Sequence, residues 1–458
     1  MTTLSSKRKS TSAPLLLILL LLLGGGLVAG FLLFFEGDPP TIAIEAPVSH
    51  LGTSGTISIA VEDDESGLRQ IRVTLSQGTV EKELFSESYP RLGYTGLIGV
   101  AEKQAHIDVE PAQQGFVDGP ATLTVTGADY SSRGFFRGNT VTVARELIID
   151  TTAPKINILY SDRYVSPGGS GLIVYRVDDG AATSGVIIND VFHPGFPADD
   201  GGSDTSVALF ALPYDAIDIT GAQVVAKDPA GNQSSLPFST TVKAVSFKED
   251  RITIDDQFLE TKIPEFQNHY PEMTGSLLEQ YLFINTDIRN RNNTTISELC
   301  ANPQTKRLWR GHFSRMPGSS RAGFADHRTY YYNGQAIDQQ VHLGIDIAST
   351  RQAEIRAAAT GVVVHADYLG IYGNMVLLDH GQGLFSLYSH LSQINVSVGD
   401  TAEAGAAIGR TGTSGMAGGD HLHFSMLVNG IFVTPVEWWD QHWIDVNIEG
   451  PLQDARFQ

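Results

Sequence analysis

The chain has 458 residues, with 31 basic against 51 acidic side chains and a formal net charge of −20. That length asks for about three domains, and that charge argues against nucleic-acid binding, which needs a basic patch. A single cysteine, Cys300, excludes an intramolecular disulfide framework and reads as a small inert thiol rather than a catalytic one.

Residues 14–35 form an apolar run without a charged side chain, long enough at about 1.5 Å per residue to cross a bilayer's hydrocarbon core. Lys7, Arg8 and Lys9 precede it, and Glu36 and Asp38 follow. The positive-inside rule therefore keeps residues 1–13 in the cytoplasm and puts the bulk of the chain in the periplasmic or extracytoplasmic space. A cleaved signal peptide is the competing reading, and Val28-Ala29-Gly30 offers small residues for it. Its apolar core would be only about 7–15 residues, so the length favours a single-pass anchor in the cytoplasmic (inner) membrane.

Residues 38–149 and 150–245 show short β-branched runs punctuated by Gly, Asp, Ser and Pro, the pattern of β-sandwiches. A weak repeat of about 100–115 residues links the two segments, each the size of one immunoglobulin-like domain. Asp38-Pro39-Pro40-Thr41-Ile42 returns as Thr152-Ala153-Pro154-Lys155-Ile156, and Val61-Glu62-Asp63-Asp64 returns as Val177-Asp178-Asp179. These pieces resemble bacterial Ig-like modules, which implies spacers or binding platforms for wall or partner. Paired carboxylates at Asp63, Asp64, Asp178 and Asp179 suit a hard cation, but Asp bonds its own backbone in turns, and turns are the expectation.

Residues 246–302 read as a helical connector. Residues 255–262 and 276–284 have helix-compatible apolar spacing, and Ser276 with Glu279 forms a capping-box pattern. Residues 290–295 read as a polar turn followed by a short helical start. The connector, or an aromatic loop at Tyr330 to Tyr332, could cover the groove of the following domain and restrain it.

Residues 303–445 carry the chemistry, followed by a C-terminal tail, 446–458. Strand-like runs and Gly turns without a long helix predict a mainly antiparallel sheet. His421 and His423 alternate with Leu422 and Phe424, so both imidazoles leave one face of a strand. His342 and Asp346 add an imidazole and a carboxylate, and His390 closes a further short run. A catalytic zinc typically takes three protein ligands and keeps one open position, so several candidates compete for three places while one His stays free for proton transfer. His312, His327, His365, His380 and His442 read as surface or packing residues, with His380 the easiest to mistake for a ligand.

The run from about Gly311 to Trp443 resembles the lysostaphin/LytM-type zinc metallopeptidases, which cut peptide bonds in bacterial peptidoglycan. The matching pieces stand in the family's order: His342-Leu343-Gly344-Ile345-Asp346, residues 357–364, 373–381, 387–391, 398–400 and 408–412, and His421-Leu422-His423-Phe424. The resemblance implies that His342, Asp346 and His423 hold Zn²⁺, and that His390 and His421 act on the water and the scissile carbonyl. It implies substrates among peptidoglycan stem or bridge peptides, and leaves cell-wall or division machinery proteins open as partners. Members that only activate other wall hydrolases have lost ligands, whereas this chain keeps all five residues, which argues against the alternative of a non-catalytic wall-binding scaffold or activator of another wall hydrolase. Asp420 and Ser425 depart from the family's usual Pro and Glu beside the His-x-His pair.

Overall fold

The structure, a computed structural model, describes residues 12–34, 37–45, 49–93, 97–132, 137–178, 181–198 and 205–456. The basic residues Lys7 to Lys9, Glu36 and Asp179, used in the sequence reading, lie outside them. The chain is mainly β and forms two compact units, Met1–Ala153 with Pro229–Asn232, and Pro154–Asp228 with Gln233–Gln458. A helix, Ser12–Phe34, opens the first unit. Its stretch Pro14–Phe31 is long and apolar enough to cross a membrane, and none of that stretch is buried in the protein.

In the first unit, strands Thr41–Glu45, Gly55–Glu62 and Glu102–Val109 form one antiparallel sheet. A second sheet is built on Leu68–Gln77, Val80–Ser88, Gly119–Asp129 and Thr140–Ile149. Alternate residues of both share one core, with Ile57, Ile59 and Val61 meeting Ile71, Val73, Leu123 and Val125. Asp63 behaves as a turn residue: its Oδ1 accepts from the backbone N–H of Gly67 at 2.7 Å and of Glu65 at 3.3 Å.

The second β module joins the C-terminal half in one unit, and one strand shows why. Ser170–Val177 runs almost continuously buried, as a strand covered on both faces must. Ile173 and Tyr175 enter the module's own core with Val186, Phe210 and Val224. Leu172 and Val174 leave the other face and pack with Trp309, Phe313, Val433 and Trp438. Glu437 adds a polar tie, accepting from the backbone N–H of Ser170 at 3.0 Å.

The C-terminal half is built on a ten-stranded sheet. Its middle runs Ser319–Ala322, Ile345–Ala348, Leu422–Val428, Leu384–Ile394, Asn374–Asp379 and Gly361–Tyr368, each pair antiparallel. Beside it, Glu249–Ile254 pairs parallel to Asp326–Tyr332, which pairs antiparallel to Gln335–His342. The aromatic stretch at Tyr330 is therefore a strand, not a loop, because its backbone is paired on both sides.

Three helices precede this sheet. Asp256–Gln267 is capped by Asp255, and Leu277–Phe283 starts with the full Ser276–Glu279 capping box. The polar stretch at 290–295 is helical, inside Arg289–Leu299, rather than a turn. Asn292 is buried there and its Oδ1 accepts from the backbone N–H of Ile371 at 2.9 Å, while the hydroxyls of Thr294 and Thr295 bond carbonyls one turn back. Tertiary partners thus supply what the weak helix propensity of Asn and Thr lacks. The expected tail is also helical at Gly450–Arg456, held by the buried Ile448 and Ala455.

Candidate metal centre

Strand register brings the first carboxylate and imidazole together. Asp346 and His423 are cross-strand partners between Ile345–Ala348 and Leu422–Val428, and Asp346 Oδ1 lies 2.9 Å from His423 Nδ1. His342 ends the strand before Asp346, and its Nε2 lies 2.9 Å from both Asp346 Oδ1 and His423 Nδ1. The three donor atoms lie within 4.8 Å of one another, and both imidazoles are buried.

His421 and His390 complete the group. His421 bridges to Gly412 at the edge of the sheet, and its Nε2 lies 3.4 Å from Asp346 Oδ1. The His390 ring centroid is 4.9 Å from that of His421 and 5.8 Å from that of His423. His390 has φ 64°, a left-handed conformation costing an L residue about 1–2 kcal/mol. It interrupts the ladder of Leu384–Ile394.

The hydrogen bonds around the rings set their tautomers. His342 Nδ1 faces the carbonyl of Gly323 at 2.7 Å, and a carbonyl only accepts, so Nδ1 carries the proton and Nε2 a lone pair. Ser425 Oγ donates to the carbonyl of Leu343 at 2.7 Å and therefore accepts from His423 Nε2, 3.1 Å away, which leaves the lone pair on His423 Nδ1. Two imidazole lone pairs and a carboxylate oxygen thus converge on one point. Without a cation those acceptors repel one another; with one, they are a His-Asp-His ligand set with ordered partners behind each ring.

Arg328 donates to Asp346 Oδ2 at 3.1 Å and so turns Oδ1 toward the imidazoles. Burial opposes ionisation of Asp346, but His342, His421 and His423 outweigh it and hold the carboxyl well below its ordinary range. Burial pushes His390 well down and His423 down to about 4. His421 is lowered by burial as well, but its bond to Asp346 reverses that and raises it.

The five residues singled out in the sequence share one cavity of about 330 Å³. Ile254, Phe258, Tyr281, Arg289 and Tyr330 line it too, so the connector helices and the strand before them form one wall. Among the additional residues, Arg328 and Ser425 carry no spacing signal, and only the departure from the family's Glu marked position 425. His380 is a core residue: its ring contacts the carbonyl of Thr360 at 2.8 Å and Ser386 Oγ at 2.7 Å, and burial lowers it to about 4.

Residues 340–435 match peptidase family M23. Over 97 residues the chain is 38% identical to the DD-carboxypeptidase/endopeptidase Mpg of Neisseria meningitidis serogroup B, covering 21% of this chain and 22% of that protein. It is 33% identical over 135 residues to the peptidoglycan DD-endopeptidase ShyC of Vibrio cholerae serotype O1, covering 29% and 30% of the two chains. It is also 38% identical over 95 residues to the murein hydrolase activator EnvC of Escherichia coli strain K12, covering 21% and 23%. The chain thus spans about a quarter of the length of the curated relatives it matches.

Proposed function

Because residues 340–435 form a peptidase family M23 domain, we propose that the chain is a membrane-anchored zinc metalloendopeptidase that hydrolyses peptide cross-links of bacterial peptidoglycan. The observation that carries this reading is the convergence of His342 Nε2, Asp346 Oδ1 and His423 Nδ1 at 2.9 Å spacings, with a proton-bearing nitrogen turned outward on each ring. Bound zinc supplies Lewis acidity, polarising a carbonyl and acidifying water. In this reading the N-terminal helix holds the chain at the inner membrane, and the two β modules are Ig-like.

His390 and His421 do the proton work in this reading. Each turns Nδ1 to a carbonyl, that of Ser414 at 2.9 Å and that of Gly419 at 2.7 Å, so Nε2 is the nitrogen each presents for proton exchange. One accepts a proton from the attacking water, and the other stabilises the oxyanion or protonates the leaving amine. Connector residues line one wall of this cavity, and the reading takes a stem or bridge peptide as its occupant.

The test is paired: zinc content by elemental analysis, and mass spectrometry of fragments released from purified sacculi by the full chain. Zinc at one equivalent with new peptide ends is the expected result. A zinc-loaded chain that releases nothing from sacculi would favour the second reading, a non-catalytic activator, which the likeness to EnvC supports.

A further inference from the structure

A second cavity, of about 850 Å³, opens in the same unit between the second β module and the C-terminal helices. None of the site histidines lines it. Among the described residues, Arg176, Lys306, Arg307 and Arg310 do, beside the carboxylate of Glu449. In a chain of net charge −20, the described lining of this opening thus carries more cations than carboxylates.

The cavity wall also carries buried donors without acceptors. Trp309 is only 3% exposed, and among the described residues neither its Nε1 nor Arg307 Nε has a hydrogen-bond partner. The Arg307 guanidinium lies 3.8 Å over the Trp309 ring and pairs with Glu449, so this face is ordered rather than a loose fringe of side chains. Guanidinium groups bind carboxylates with paired hydrogen bonds, and the buried Trp309 ring holds Arg307 in place beside the opening.

We propose that this cavity is a second, non-catalytic binding site for the carboxylates of peptidoglycan peptides, which retains the polymer while the histidine site works on it. The proposal rests on the peptidoglycan reading above. It also answers a difficulty of that reading: an acidic chain is repelled by an anionic wall unless it presents a basic patch somewhere.

The experiment titrates the full chain in detergent with a purified disaccharide-tetrapeptide muropeptide, which holds no cross-link to cut. Parallel titrations use the same compound with its carboxylates amidated, and inorganic phosphate. Lys306→Gln with Arg310→Gln is the test variant, since both side chains are exposed; melting curves check that it folds. The expected result is binding weakened about tenfold by the double variant, by amidation and by added salt, with zinc content unchanged. Equal affinity for the amidated compound, equal affinity in the variant, or phosphate binding as tightly as the muropeptide would overturn the proposal. Failure of the hydrolase reading is seen separately, as an inert digest of sacculi.

Discussion

Ser425 Oγ stands 3.1 Å from His423 Nε2 while donating its own proton to the carbonyl of Leu343. That hydroxyl decides which nitrogen of His423 faces the centre. Ser425→Ala removes the acceptor and frees the ring to flip, so zinc affinity should fall by about tenfold or more. Competition with a chromophoric chelator measures it; unchanged affinity would show that the strand alone orients the ring.

The two outer imidazoles should separate metal binding from chemistry. His342→Ala and Asp346→Ala are expected to lose both zinc and activity. His421→Ala and His390→Ala are expected to keep zinc at full stoichiometry while hydrolysis falls by about 10²–10⁴-fold. Elemental analysis beside a muropeptide digest reads both, and an active His421→Ala protein removes that residue from the mechanism.

The connector is a structural member of the C-terminal half. Ile254, Leu259, Ile263, Phe266, Tyr281, Ile284, Ile288 and Ile296 are all buried in one core with Ile345, Met375, Leu377 and Leu387. At about 1.5–3 kcal/mol for each large apolar side chain, deleting residues 250–300 exceeds the stability of a typical domain, about 5–15 kcal/mol. The deletion should therefore leave an unfolded chain rather than a de-repressed enzyme. A cooperative melting transition with faster wall hydrolysis would instead support a restraining role.

Glu437 makes stability depend on pH. Burial pushes its carboxyl from an ordinary 4.5 up to about 8, with Asp162 adding to the shift and the hydrogen bond from Ser170 and the charge of Lys243 opposing it. A folded-state value above the unfolded one means the folded chain binds the extra proton between those limits. The stabilisation is full below about 4.5 and is lost as pH rises through about 8. The melting temperature should fall by a few degrees across that window, and Glu437→Gln should flatten the slope. Asp162, raised to about 6 by burial, adds a smaller fall in the same direction at lower pH.

Much of this was legible in the linear chain because it depends on local spacing. A charge-free apolar run is long enough to span a bilayer whatever surrounds it. The alternation at His421 and His423 commits two rings to one strand face, and Ser276 with Glu279 caps a helix using only its own first turn. Other features depend on which distant strand arrives opposite. His423 meets His342 across 81 positions, Arg328 reaches Asp346 from a separate sheet, and Ser425 acquires its role only when the carbonyl of Leu343 is beside it. The double burial of Ser170–Val177, like the helical fate of residues 290–295, came from partners that no local pattern encodes. Spacing sets the direction in which a side chain leaves the backbone; strand register and packing set what it meets.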